Sequence, residues 1–329
     1  MYNVYAIGNA LVDTEFSVEN DFFAQMSDEK GLMTLIDQDR QSALWEKVNK
    51  APVKKQCGGS AANTAIAISQ LGGSSYYAFK VANDELGNFY CSDLENNKVQ
   101  FKRFVDESEK APTGACSVFI TPDADRTMYT YLGATQNFGS DQLNSEALGA
   151  ANYLYIEGYL VTSDSSFSAV KKSIEDARSK NKLISLTLSD PGIVGFFKEK
   201  FLEILNEKVE LIFCNEEEAM SLSGTDNIHS AFESLKQFAN RFAITRGAEG
   251  ALIYDGSEKK FVEGYKVEAI NTNGAGDLFA GAFLYGTNNG MSDESSAKLG
   301  NFLSSKLVQK FGARLESTEV QKYLKEFKG

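Results

Sequence analysis

Asn271-Thr272-Asn273-Gly274-Ala275-Gly276-Asp277-Leu278-Phe279-Ala280-Gly281-Ala282-Phe283-Leu284 is the stretch on which the reading of this chain turns. Gly274 and Gly276 permit a turn in which several backbone N–H groups point the same way, and the apolar run after them reads as the start of a buried helix. The first amides of a helix have no partner within it and sit at the positive end of its dipole. Such a start, here including Ala275, therefore holds an anion without a lysine or arginine from the segment itself. Asp277 complicates a pure binding role. A carboxylate where a phosphate would lie is unhelpful for binding, yet it is suited to taking the proton from an attacking hydroxyl. The competing reading is that Asp277 caps the helix, and the stretch alone does not choose.

A second backbone-lined helix start lies upstream. Gly58-Gly59-Ser60-Ala61-Ala62-Asn63-Thr64 joins a glycine pair to small residues and a helical run that stops at Gly72-Gly73. At the amino end, Tyr2 to Ile7 reads as a strand that runs into the turn Gly8-Asn9-Ala10-Leu11-Val12-Asp13. Ligands of α/β sheets gather beyond the carboxyl ends of strands, which makes Asn9 and Asp13 candidates for hydroxyl recognition; a turn Asn and an exposed Asp is the plainer alternative.

Two further groups follow apolar strands. Asn215 and Glu218, three residues apart after Leu211-Ile212-Phe213, share one face of a helix turn. They suit a hydrated Mg²⁺, which needs few protein ligands, and equally suit simple stabilisation of a helix start. Thr245-Arg246-Gly247-Ala248-Glu249-Gly250 fits a nucleotide-side loop or a hairpin turn.

From Ala150 onward strands alternate with helices: Tyr153 to Ile156 before Ser163 to Lys180, Leu183 to Leu188 before Gly195 to Asn206, and Val209 to Cys214 before Glu216 to Ser223. A helix over Ala231 to Asn240 then precedes a strand from Phe242 to Thr245. This alternation predicts a parallel sheet with helices on both faces. Phe101, Phe104, Cys116 to Thr121 and Thr127 to Leu132 read as β-structure, the last two as a hairpin about Pro122 to Asp125, in a small sheet with the early strands. The expected division is an α/β core of residues 1–12, 58–98 and 136–329 with a β unit of 13–57 and 99–135 inserted in it.

Composition narrows the function classes. A formal charge of -12 argues against a nucleic-acid surface, where cations must neutralise phosphates. No run of about 18 apolar residues and no charged-then-apolar leader is present, which predicts a cytosolic, non-membrane protein. Cys57, Cys91, Cys116 and Cys214 are scattered and read as reduced, and the single histidine, His229, in a polar stretch, makes histidine-based catalysis and metal sites poor fits. Neither a P-loop nor a Gly-x-Gly-x-x-Gly dinucleotide fingerprint occurs.

In combination, Gly58-Gly59-Ser60-Ala61-Ala62-Asn63, Asn215-x-x-Glu218 and Asn271-Thr272-Asn273-Gly274-Ala275-Gly276-Asp277 resemble the ribokinase-like (PfkB) carbohydrate kinase family, over nearly the whole chain from Gly8 to Arg314. Asn9-x-x-x-Asp13, Thr127 to Ala134 and Glu157-Gly158-Tyr159-Leu160 look most like its bacterial adenosine kinase branch. The resemblance implies a three-layer αβα core with a small β-sheet lid, hinged at Gly58-Gly59. It implies transfer of the γ-phosphoryl of ATP to a primary hydroxyl of a nucleoside or sugar, by a monomer or homodimer. Asp277 would be the base, with Gly274, Ala275 and Gly276 as the anion hole. Asp13, Asn63 and the Gly58-Gly59 backbone would hold ribose hydroxyls, and Asn9 would support that loop. Asn215 and Glu218 would fix the waters of Mg²⁺, while Thr245, Gly247 and Asn301 would line the nucleotide pocket. Arg126 matches an arginine that reaches the transferring phosphate, and Leu32, Met33 or Tyr159 would offer apolar surface to a base. Where the family usually has Asp, this chain has Asn271, which puts activation by K⁺ in doubt.

Overall fold

The computed structural model describes residues 1–19, 22, 33–48, 51–122 and 126–328; for Met33 and Arg126 the backbone alone is described. In chain order the first half holds β1 (Tyr2–Ile7), β2 (Leu11–Ser17), β3 (Met33–Leu35), α1 (Gln38–Lys47), β4 (Lys54–Gly58), α2 (Ser60–Gln70), β5 (Ser75–Ala78), α3 (Glu85–Asn96), β6 (Gly114–Ile120), β7 (Arg126–Tyr131) and α4 (Ser145–Gly149). Then come β8 (Ala151–Glu157), α5 (Asp164–Ser179), β9 (Leu183–Thr187), α6 (Pro191–Phe196), α7 (Lys198–Ile204), β10 (Val209–Asn215), α8 (Glu216–Ser223), α9 (Ile228–Leu235), β11 (Ala239–Thr245), β12 (Gly250–Tyr254) and β13 (Lys259–Glu263). α10 (Ala275–Asn288), α11 (Asp293–Leu307) and α12 (Ser317–Glu326) close the chain.

Eight strands form the large sheet in the order β13-β12-β11-β10-β9-β8-β1-β5. From β5 to β11 neighbours run parallel, and β12 and β13 are antiparallel additions at one edge. Side chains alternate across a strand, and both faces of these strands are apolar. Tyr5 and Ile7, with Leu154, Ile156, Ile212 and Phe242, join one core with α5, α8 and α9, whereas Val4 and Ala6, with Tyr155, Phe213 and Ala243, join another with α2 and α10. That double-sided burial produces the three-layer αβα arrangement.

The second sheet has the order β3-β7-β6-β2-β4, with β6 and β7 as the expected hairpin. One of its faces packs Phe16, Val18, Phe119 and Tyr129 against Leu44 of α1. Leu11, Val12 and Gly58, placed with the core by sequence, lie on strands of this sheet. The turn expected through Asp13 is instead strand β2, because β4 and β6, far away in sequence, complete its hydrogen bonds.

Other local expectations fail for local reasons. Phe101 and Phe104 lie on no strand; Gln100 alone bridges the large sheet's edge at Tyr76. The helix expected over Gly195 to Asn206 is two helices, α6 and α7, and the one expected to reach Asn240 ends at Leu235 because Ala239 and Asn240 pair with β10 and open β11. The four cysteines are free and buried, and His229 is exposed on α9. Among the described residues no helix is long and apolar enough to cross a membrane.

Candidate active site

The two glycine-led helix starts meet at the carboxyl edge of the large sheet. α10 crosses α2 closely because Gly281 has no side chain; a Cβ there would lie 2.7 Å from Ala67 Cβ and 3.0 Å from the Thr64 carbonyl oxygen. This contact brings Asp277 to the first turn of α2. Asp277 Oδ1 accepts from Ser60 Oγ at 2.6 Å, and Oδ2 accepts from Asn63 Nδ2 at 2.9 Å. Asp277 therefore does not cap its own helix. The cap position is Gly274, with φ +75, which carries no side-chain cap, and a Cβ there would collide with the Ala313 carbonyl oxygen.

The start of α10 is held from behind. The Ile270 and Asn271 amides both donate to the Val308 carbonyl, and Ser304 Oγ donates to the Ala275 carbonyl. Ahead of it, Gly276 is exposed and a Cβ built there meets no atom within 4 Å, so packing does not require glycine at this position. The open space leaves room for close approach to the backbone at this position. Burial lifts the Asp277 carboxyl to about 6, against the lowering effect of the Ser60 and Asn63 hydrogen bonds.

The other acceptor-side residues converge here. Asn63 is buried, and with its Nδ2 on Asp277 its Oδ1 has no partner among the described residues. A buried acceptor left so costs about 1–3 kcal/mol, a debt that an incoming hydroxyl donor removes. Asp13, on β2, lies against Gly58, where a Cβ would sit 2.3 Å from Asp13 Oδ1. Its carboxyl is raised to about 7 by burial, with the Arg314 charge opposing and Glu15 and Asp277 adding to the shift. Gly59 takes φ +101 and passes so close to the Asn9 carbonyl oxygen that a side chain would clash.

Asn9 is spent inside the fold. Its amide donates to Glu157 Oε1 at 3.2 Å, its Oδ1 accepts from Thr135 Oγ1, and its carbonyl accepts from Tyr77 Oη. Glu157, at the end of β8, also accepts from the Ala61 amide at 2.8 Å and is the residue that sequence reasoning underrated. It is fully buried, and burial lifts its carboxyl to about 7. Ser60, inside the Gly58 to Asn63 motif, likewise has no role legible in the sequence. Nothing local in the sequence pairs either residue with its partner.

On the donor side, Asn215 and Glu218 form a reciprocal capping box at the start of α8, and Glu218 Oε1 also accepts from Asn215 Nδ2. The capping reading of this pair is thus realised. Each carboxylate oxygen keeps a further lone pair, so the all-oxygen set still fits the waters of a hydrated Mg²⁺. Among the described residues no group of three or more His, Cys, Asp or Glu is placed to hold a metal directly. Burial lifts Glu218 to about 7, with Asp190 and Asp277 adding repulsion. Thr245 ends β11 beside Asn215 in register, and Gly247 is exposed with φ +55. Asn301 is buried and donates to the Val262 and Glu263 carbonyls, so it builds the wall of this edge.

Asn271 also departs from a cation-binding acid in its bonds. Its Nδ2 donates to the Gly312 carbonyl at 2.9 Å and its Oδ1 accepts from the Asn273 amide, a pattern that a carboxylate could not complete. The neutral carboxamide supplies no negative charge to a cation beside the helix start. Tyr159 lies on the large sheet's side, in the turn after β8, rather than on the small sheet; Leu32 lies outside the described residues. Arg126 opens β7 at the hairpin end.

Residues 31–320 match the pfkB family carbohydrate kinase profile. The chain belongs to that family. Adenosine kinase of Sinorhizobium meliloti has a similar structure, with a TM-score of 0.86, 32% identity and cover of 98% of this chain and 99% of that one. Adenosine kinase of Dictyostelium discoideum is 27% identical, covering 96% of this chain and 97% of its own. A sugar-directed member is also similar: ribokinase of Staphylococcus aureus, 26% identical over 78% of this chain and 83% of its own.

Proposed function

We propose that this pfkB-family phosphotransferase moves the γ-phosphoryl group of ATP to the 5′-hydroxyl of a purine nucleoside, converting adenosine to AMP. The observation that carries the proposal is Asp277 itself. Its carboxylate is fixed by α2 while it sits on the first turn of α10, whose amides no side chain caps. In this reading Asp277 takes the acceptor's hydroxyl proton, the new O–P bond forms, the bond between the β,γ-bridging oxygen and the γ-phosphorus breaks, and ADP leaves. The amides of Gly274 and Gly276 meet the charge that develops, joined by that of Ala275 when it leaves its 3.2 Å bond to the Thr272 carbonyl; one such donor is worth about 2.7–4 kcal/mol in the transition state.

Asp13, the Gly58-Gly59 backbone and Asn63 Oδ1 take the ribose hydroxyls, and the Asn9 loop keeps that wall in place. Thr245, Gly247 and the edge built by Asn301 take the nucleotide, and Asn215 and Glu218 hold Mg²⁺ through water. Mg²⁺ when bound would neutralise phosphate charge, and Asn271 offers no carboxylate to a K⁺ ion. Arg126 serves the transferring phosphate from the small sheet. Closure of that sheet over the site about Gly58-Gly59 keeps water from competing with the alcohol.

The near-full-length likeness to adenosine kinases favours a nucleoside over a sugar. ATP turnover on adenosine, inosine, ribose and fructose tests this: kcat/KM should be highest for adenosine. A higher value for ribose or fructose assigns the chain to the sugar kinases, and no turnover with any alcohol supports a non-catalytic nucleotide-binding regulator.

A further inference from the structure

Asp277 receives two donors from a single helix turn that is not its own. Ser60 is the first residue of α2 and Asn63 lies one turn on, so the same stretch that follows the Gly58-Gly59 junction grips both oxygens of the carboxylate. The grip is anchored in turn, since the Ala61 amide is held by buried Glu157 and Thr64 Oγ1 donates to the Asp277 carbonyl. Asn63 has an evident second duty, because its buried Oδ1 has no partner among the described residues. Among the described residues Ser60 Oγ makes no other hydrogen bond, so its contact with Asp277 is a dedicated one.

We propose that Ser60 is a positioning residue for the base: its hydroxyl, donated to Asp277 Oδ1, fixes the carboxylate's orientation and keeps it ionised near neutral pH. The surroundings make such a donor necessary. Asp277 is desolvated, and the charges facing it are acidic: Asp13 on β2, Glu157 on β8 and Glu218 on α8, with the phenols of Tyr155 and Tyr159 beside them. When ionised, each of the three carboxyls disfavours a further negative charge, the phenols stay neutral, and α2 and α10 bring no cation to the carboxylate. Donors to the charged form are then what holds the base available. This inference rests on Asp277 acting as the base, and it predicts a property of the carboxylate that does not depend on which alcohol is the substrate.

The test is a site-specific titration. Protein carrying ¹³C-carboxyl aspartate is titrated by NMR, with the Asp277 resonance assigned as the one missing from Asp277→Asn, and the same is done for Ser60→Ala and Ser60→Thr. The Asp277 midpoint should rise by about one pH unit in Ser60→Ala, the size expected when a hydrogen bond to a charged group is removed. Ser60→Thr, which keeps the hydroxyl, should restore it. The acid limb of kcat for phosphoryl transfer should move in parallel. Melting temperature serves as the control, since a merely structural role would lower it without moving the midpoint. An unchanged Asp277 midpoint in Ser60→Ala overturns the proposal. A shifted midpoint in a protein that phosphorylates no nucleoside keeps this proposal and removes the nucleoside assignment instead.

Discussion

The starts of α2 and α10 are built alike and used oppositely. Each follows a glycine at positive φ, Gly59 or Gly274, that no side-chain cap replaces. At α2 the anion comes from within, because Glu157 reaches across the sheet edge to the Ala61 amide. At α10 no carboxylate arrives from among the described residues: the acid that belongs to that helix, Asp277, turns away to Ser60 and Asn63. Both internal negative charges are thus gathered on α2. A helix start whose anion is supplied by the fold is a structural joint, and one whose amides are kept clear of side chains is fitted to an outside anion.

Changes at the two starts should separate rate from stability. Asp277→Asn should lower kcat by at least ~10²-fold while ATP binding, measured by calorimetry, persists. A rate near that of the unaltered protein would remove Asp277 from the chemistry. Gly276→Ala should cost on the order of 10²-fold in kcat/KM by displacing a phosphate from the amides, yet leave the melting temperature equal or higher. The added methyl meets nothing in the protein, so an equal loss of stability would contradict the assignment of that surface.

Glu157→Ala should act the other way, losing about 1–3 kcal/mol of stability in chemical denaturation as the Ala61 and Asn9 amides lose their acceptor. Its effect on turnover should appear mainly in KM for the acceptor, through the displaced Asn9 loop and α2 start. The smallest effect is on pH. Asp13, Glu157 and Glu218 are lifted to about 7 and Asp277 to about 6, so the folded chain holds protons that the unfolded chain has already released. The stability this contributes is full below the ordinary carboxylate range and is lost as pH rises through 6 to 7. The melting temperature should therefore be higher at about pH 5 than at about pH 8, while turnover falls on the same acid side. A flat or inverted profile would mean that these carboxyls are not proton-bound in the fold.

What could be read beforehand was whatever the chain writes locally. The start of α10 is spelled in consecutive residues, Gly274 to Asp277, and the βα rhythm from β8 to β11 is spelled in runs of one element's length. The pairings of the site are not local. Ser60 finds Asp277 across 217 residues and Ala61 finds Glu157 across 96, and no spacing rule connects them. Strand β2 was hidden for the same reason, since Gly8-Asn9-Ala10 reads as a turn and only β4 and β6 reveal that the chain becomes extended at Leu11. Asn215 and Glu218 illustrate the reverse case. Their spacing announces a shared face, and the capping box fills it, so the pair is legible as geometry while its use by a metal is a matter of chemistry.

The most direct test is a crystal structure with ADP and the acceptor bound. The account predicts the terminal phosphate of ADP directed at the amides of residues 274–277, with the acceptor hydroxyl about 3 Å from an Asp277 carboxylate oxygen. A terminal phosphate seated at Gly59 to Ala61, or away from both helix starts, would contradict it.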